Sequence, residues 1–191
     1  TLSLHDALPI YFMMFAQKFN FTKYKTLVDV GGSGAILSIM VARHQPGMSC
    51  VSFDLPPVAA VAQENINRAG LNDVVKTASG DFFVDALPKA DVVVMGNILH
   101  DWDEERKITL MKAAYNALPD GGAFVAIEGI IDDNRNQNVF GMLMSLNMLI
   151  ETGRGFDYTF ADFNKWAKIT GFSNTELLPL AGPSSAAIAY K

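Results

Sequence analysis

Along the first part of the chain the apolar residues Phe12, Met13, Phe15, Ala16 and Phe19 recur at helical spacing, which predicts a helix over 11–19 with one buried face. After a polar joint at 20–25 the pattern changes. Thr26-Leu27-Val28-Asp29-Val30 is short, β-branched and stopped by Gly31-Gly32, as a central strand should be. Residues 36–43 are apolar almost all round and end before Pro46 and Gly47, so a helix sandwiched between two layers is expected there. The alternation then repeats: strands at 48–53, 74–78, 91–95 and 123–128, helices at 58–69 (closed by Gly70) and 104–117. A Met- and Leu-rich helix over 139–150 comes next, and another over 160–170, closed by Gly171. Two strand-like runs, 174–180 and 186–190, finish the chain with no helix between them, the pattern of an antiparallel hairpin. Strands alternating with helices give the fold class: α/β, a doubly wound, seven-stranded, mostly parallel sheet of the Rossmann-like kind.

Composition narrows the picture. Half of the 191 residues are apolar, enough for one continuous core, and no internal repeat or low-complexity linker divides the chain. The net charge of −5, with no basic stripe, argues against nucleic acid as a partner. No apolar run reaches the about 18 residues that cross a bilayer, so no membrane is expected. The one cysteine, Cys50, lies in a predicted strand and reads as a buried, inert thiol, in keeping with the reducing cytoplasm. The first residue is Thr, and residues 1–10 lack the features of a secretory signal and do not fit the pattern of residues 11–191. The chain is therefore expected to be a fragment: a leader of doubtful origin plus a remnant helix over 1–20, then one domain over 21–191.

In a doubly wound sheet ligands sit beyond the carboxyl ends of the strands. The first strand leads into Asp29-Val30-Gly31-Gly32-Ser33-Gly34-Ala35, a glycine turn that lets a ligand approach the backbone. It lacks the third glycine of a dinucleotide fingerprint and the lysine of a phosphate-binding loop. The second strand ends at Asp54, placed to accept ribose hydroxyls, and the third at Gly80-Asp81-Phe82-Phe83, an acceptor for an exocyclic amine beside an aromatic wall. Each acid alone is as well read as a solvated loop residue. Three at successive strand ends point to adenosine without a pyrophosphate.

Taken together, Leu27-Val28-Asp29-Val30-Gly31-Gly32, Phe53-Asp54-Leu55-Pro56, Gly80-Asp81-Phe82-Phe83, Ile98-Leu99-His100-Asp101-Trp102 and Leu118-Pro119-Asp120-Gly121-Gly122 resemble the class I methyltransferases, and among them the small-molecule O-methyltransferases of the caffeate and hydroxyindole type. The resemblance covers about residues 12–191. It implies S-adenosyl-L-methionine as cofactor, held by Asp29, Gly31, Gly32, Asp54, Leu55, Gly80, Asp81, Phe82 and Asn97. It implies His100 as general base toward a small hydroxylated, aromatic acceptor, with Glu128 and Asp157 as its acids, and a homodimer in the full-length protein. The chemistry asks for such a group: a phenol with pKa about 10 is mostly protonated at neutral pH, and a base poised near pKa about 6.5 can take its proton as oxygen attacks the methyl carbon. His5 lies in the leader and His44 near a helix end, leaving His100 at the active end of a strand.

Departures from the family pattern bear on the site. Ser33 and Ala35 stand at glycine positions, and Asp157-Tyr158-Thr159 stands where Glu-Arg-Thr is usual, so Glu151 is the alternative acid. The acids Asp101, Asp103, Glu104 and Glu105 open a helix and favour its positive end, so no metal is expected. Met-rich surfaces adapt to flat apolar ligands, which puts Met144, Asn147 and Met148 toward the acceptor, with Asp101 beside them. Trp102 is expected to pack on the sheet edge. Three rivals keep the scaffold: a relative that hydroxylates or decarboxylates its substrate, a non-catalytic cofactor-binding module, and an NAD-linked oxidoreductase, which the glycine turn disfavours.

Overall fold

The computed structural model describes the backbone of residues 4–191 and the side chains from residue 10 onward. Seven strands form one sheet in the order β3-β2-β1-β4-β5-β7-β6. β1 (Thr26–Val30), β2 (Ser49–Asp54), β3 (Val75–Ser79), β4 (Val92–Gly96) and β5 (Ala123–Glu128) are parallel; β7 (Ser185–Tyr190) runs antiparallel between β5 and β6 (Asn174–Pro179). The expected hairpin is present, and its second strand is the one that joins the parallel set. The order reverses between β1 and β4, which puts a crevice at their carboxyl ends.

The period-2 alternation of the central strands sorts the core into two layers. In β4, Val92 and Val94 face one side with Leu37, Val41 and Ile66 of α2 (Ile36–His44) and α3 (Pro56–Ala69); Val93 and Met95 face the other with Leu110 and Met111 of α4 (Glu104–Ala117) and Phe163 and Trp166 of α6 (Phe160–Thr170). β5 repeats this with Val125 and Ile127 against Phe124 and Ala126. Both faces being covered explains why these strands read as continuous apolar runs. Cys50 is buried in the first layer, and burial pushes its thiol up to about 12.

Helix α1 (Leu4–Lys18) packs on α2, so α2 is sandwiched as expected. Its Phe15 stacks on Phe19 with ring centroids 5.1 Å apart, and the Phe12 ring covers Gly96 at the tip of β4, where a Cβ would come within 2.8 Å of it. The helix starts at Leu4 rather than Tyr11 and runs on through Pro9. Pro9 is the sixth residue of this helix, so it has no N–H to give to the His5 carbonyl and one interior helix bond is missing there. Residues 1–3 of the expected leader lie outside the described residues, as do the side chains of residues 4–9, His5 included.

Two elements position the site. Between β4 and α4 a single 3-10 turn, Leu99–Asp101, carries His100; at three residues it is too short for hydrophobic periodicity to show. Helix α5 (Val139–Thr152) rests on this turn. The acids before α4 behave as anticipated for a helix start: Asp103 caps it by accepting from the Arg106 N–H at 3.0 Å, with Glu104 and Glu105 in its first turn. Asp101 lies outside that cap, beside His100.

Candidate functional site

At the carboxyl ends of β1 and β2 the glycine turn closes on itself. Gly31 and Gly32 donate to the Phe53 carbonyl at 2.8 and 3.4 Å, Ser33 donates to Asp54 Oδ2 at 2.9 Å, and Ala35 donates to Gly32 at 2.8 Å. Four backbone donors are thus spent inside the fold, which leaves this turn poorly furnished to cradle a pyrophosphate. Gly31 has φ +70°, and a Cβ there would lie 2.3 Å from Ile98; one at Gly32 would lie 2.3 Å from Ser52 Oγ. Ser33 and Ala35, the departures from glycine, both take positive φ (49° and 60°), a conformation that favours glycine.

Asp54 accepts from the Leu55 N–H through Oδ1 and from Ser33 through Oδ2. A carboxylate has about four lone-pair sites, so capacity remains for ribose hydroxyls. Asp29 sits behind the turn instead, 3% exposed, accepting from the Ser38 hydroxyl at 3.1 Å; burial pushes its carboxyl up to about 7. Asp81 accepts from Phe83 N–H at 2.8 Å and keeps its other oxygen available; Gly80 is pressed against the Phe53 ring. Asn97, at the tip of β4, holds φ 55°, the kind of backbone strain that gathers at functional positions. Trp102 packs on the loop that follows the edge strand β3. It packs edge-on against Phe82 and Phe83, with ring centroids 6.2 and 4.7 Å away, and the Arg106 guanidinium lies 5.0 Å from its own ring.

One strand over, His100 is buried between two acids. Its Nδ1 lies 3.4 Å from Asp157 Oδ1 and its Nε2 3.5 Å from Asp101 Oδ1. The shorter acid at 157 thus reaches the ring, because Gly155 lets its loop lie directly on the His100–Asp101 backbone, where a Cβ would be 2.5 Å from the His100 carbonyl oxygen. Ser145 Oγ, which nothing in the sequence singles out, anchors that loop by accepting the Asp157 N–H. Glu151 does not reach the imidazole; it accepts from Asn147 Nδ2 at 2.9 Å. Glu128 makes a different contact from the expected one. Its Oε1 accepts the backbone N–H groups of Ile98 and His100, each at 3.1 Å, so it orients the turn rather than the ring.

Burial opposes a charge on His100, but Asp157, Glu128 and Asp101 together outweigh it and raise its pKa to about 9. The acids thus hold the ring above the about 6.5 of a free imidazole and favour its protonated form. Burial raises the Glu128 carboxyl as well. Asp157 Oδ2 is buried with no hydrogen-bond partner, and the Tyr158 hydroxyl is buried against the Glu128 carboxyl. Lys107, also missed in the sequence because its charge suggests a solvated helix face, is fully buried beneath the same turn. On α5, Met148 is buried, Met144 and Asn147 are half-buried, and Asn147 Nδ2 lies 3.9 Å from Met144 Sδ. Among the described residues no group of His, Cys, Asp and Glu is arranged to hold a metal ion, and no helix is long and apolar enough to cross a membrane.

A switch-point crevice with an acid at each neighbouring strand tip defines a nucleotide-binding α/β protein carrying a histidine–carboxylate site. Its relatives say which kind. Residues 3–173 match the family described as the O-methyltransferase domain, and the chain belongs to that family. It is 35% identical over 172 residues to the tetracenomycin polyketide synthesis 8-O-methyl transferase of Streptomyces glaucescens, covering 90% of this chain and 51% of that protein. It is 37% identical to the 3-hydroxy-5-methyl-1-naphthoate 3-O-methyltransferase of Streptomyces sahachiroi, covering 84% of this chain and 47% of that protein. The structure of human N-acetylserotonin methyltransferase in complex with SAM superposes with a TM-score of 0.90 at 26% identity, over 98% of this chain and 53% of that one. The chain spans about half the length of the curated relatives it matches.

Proposed function

We propose that this chain is the cofactor-binding, catalytic half of an S-adenosyl-L-methionine-dependent O-methyltransferase, acting on a hydroxyl of a small aromatic molecule with His100 as general base. The observation that carries the reading is the adjacency of two sites: the glycine turn with Asp54 at the tips of β1 and β2, and His100 with Asp157 on Nδ1 just beyond β4. The solved relatives bound to SAM and SAH support the cofactor. The residues fit it, since the turn has no pyrophosphate cradle to offer while Asp54 and Asp81 retain acceptor capacity and Phe82 supplies a ring.

When bound, the cofactor supplies an electrophilic methyl group on a sulfonium. The protein's own part is alignment and proton removal. Asp54 and Asp81 hold the nucleoside end, and Gly31, Gly32, Leu55, Gly80 and Asn97 shape the backbone around it, with Asp29 bracing the turn from behind. Asp157 fixes the imidazole through Nδ1–H, which directs the Nε2 lone pair toward an acceptor hydroxyl once Asp101 has turned aside to bind the acceptor. As the oxygen–carbon bond forms and the sulfur–carbon bond breaks, the hydroxyl proton passes to Nε2. A pKa of about 9 lies close to that of a phenol, which suits the transfer, but it requires the neutral ring to be the minor form at pH 7. Met144, Asn147 and Met148 wall the acceptor.

The names of the relatives, which act on a polyketide, a naphthoate and acetylserotonin, support an aromatic acceptor. We further read residues 1–20 as a leader of doubtful origin plus a remnant helix of an N-terminal dimerisation domain, and 21–191 as the catalytic domain. Val139, Leu143, Leu146 and Ile150 leave an apolar face on α5 exposed, as a homodimer in the longer protein would need. The test is transfer of labelled methyl from S-adenosylmethionine to a panel of phenolic and polyketide-like acceptors by the full-length protein. Turnover that depends on His100 is expected; cofactor binding with no transfer to any acceptor contradicts the reading.

A further inference from the structure

Among the described residues Lys107 is the one cation buried with the His100 site. It projects from the first turns of α4, and its Nζ donates to the Trp102 carbonyl, which ends the turn that carries His100. Its remaining surroundings are aromatic: Nζ lies 3.4 Å from the centre of the Phe156 ring, 5.7 Å from Tyr158 and 5.9 Å from Trp166. Among the described residues it makes no ion pair. A buried ammonium with one hydrogen bond is costly and persists only where something offsets it. The offset is the field of acids around His100: Glu128 and Asp157, then Asp103 and Asp101 more weakly, all of which act on Lys107. Phe156, Tyr158 and the Asp157 between them belong to the loop that meets the imidazole, so two of the three cage rings flank the acid in sequence.

We propose that Lys107 is a positioning residue for His100: its caged ammonium is the counter-charge to Glu128 and Asp157, and it ties α4 to the turn bearing the base. The proposal rests on the reading of His100 as general base. The groups that act on the imidazole directly are Asp157 from the loop before α6, Glu128 from β5 and Asp101 on its own turn; Tyr158 bears on Glu128 and Asp157, Lys107 from α4 acts on all three acids, and Glu151, at the end of α5, acts through Asp101. Lys107 is thus the only cation among these groups, set against three carboxylates. Burial pulls its own pKa down to about 8, which leaves it charged at neutral pH. Without it, those acids hold the imidazole proton more tightly, and the neutral base becomes scarcer.

The experiment is a histidine-ring NMR titration of the whole chain, with His100 assigned by His100→Gln, in the unaltered protein, Lys107→Met and Lys107→Arg. Met fills an aromatic cage without charge. Lys107→Met is expected to raise the His100 midpoint by about one pH unit, and Lys107→Arg to leave it close to the original. A folded Lys107→Met with an unmoved His100 midpoint overturns the proposal. If Lys107→Met does not fold, the 13Cε shift of Lys107 in the unaltered chain decides, set apart from other lysines by the Phe156 ring current: a protonated amine at pH 7 supports the proposal and a neutral one overturns it. In the full-length enzyme the acid limb of the pH–rate profile is expected to move to higher pH in Lys107→Met by the same amount. The NMR arms need no turnover, so absence of methyl transfer would count against the functional reading and leave this proposal to its own result.

Discussion

The two sides of the crevice are satisfied in opposite ways. At the tips of β1 and β2 the backbone donors of the glycine turn close onto Phe53, Gly32 and Asp54, and the orphan among the described residues there is Ser52 Oγ behind the turn. Beyond β4 and β5, Asp157 Oδ2 is buried without a partner, and the Tyr158 hydroxyl is buried against the Glu128 carboxyl, whose Oε1 is already taken by two backbone N–H groups. The first side is a finished platform held by backbone geometry. The second is a concentration of buried charge, in which acids raise the histidine and burial lowers the lysine. On the proposed function, ligand shape is set by the first side and proton affinity by the second.

The largest effect expected from separating them is at His100. His100→Gln should lower kcat of the full-length enzyme by at least about a hundredfold while S-adenosylhomocysteine affinity, read by calorimetry, stays within about twofold. Equal losses in both would mean the two sides are not separable. Next comes the platform. Gly31→Ala forces a methyl toward Ile98 at positive φ, a strain of about 1–3 kcal/mol, so affinity for S-adenosylhomocysteine should fall about tenfold or more and adding Ile98→Ala should recover part of it. An unchanged affinity in Gly31→Ala would show that the turn does not shape the cofactor site.

How far these features were legible in the sequence divides along the same line. Glycines, β-branched runs and strand-end acids announce a backbone-built platform, so the sheet, its hairpin and Asp54 could be anticipated. His100 was legible from its place after a strand. Asp157, implied as its acid by the family resemblance, does meet the ring, but Gly155 and Ser145, which bring the Asp157 loop onto it, were not legible, because that loop and α5 are brought together only by the fold. Glu128 was found with the wrong contact for the same reason: its position at the end of β5 is sequential, but its bond to the Ile98 and His100 N–H groups depends on a 3-10 turn too short to predict. Lys107 was invisible because a lysine on a helix is ordinarily solvated.

Two smaller effects sharpen the contrast through pH. If the imidazole must be neutral, turnover should climb between pH 7 and about 9 as His100 loses its proton, and Asp157→Asn should move that limb to lower pH by removing a carboxylate that holds it. A profile already flat by pH 7 would contradict the raised pKa. The same shift bears on stability with a definite sign. His100 is raised in the fold, so its contribution is complete below about 6.5 and is lost as pH rises through about 9. Asp29 is raised to about 7, so the fold also binds its proton more tightly than the unfolded chain, and stability is lost as pH rises from about 4 through about 7. Asp29→Asn removes that component. The Tm of the variant relative to the unaltered protein should accordingly increase between pH 5 and pH 8, and a constant difference would show that Asp29 does not carry the proton.

Both sides of the crevice presuppose a site for S-adenosylmethionine rather than for a dinucleotide, with the platform formed within these 191 residues. Isothermal calorimetry of the chain against S-adenosylhomocysteine and, separately, NAD tests this most directly. One S-adenosylhomocysteine bound per chain, weakened by Gly31→Ala, and no heat from NAD are expected; saturable binding of NAD with none of S-adenosylhomocysteine would contradict it.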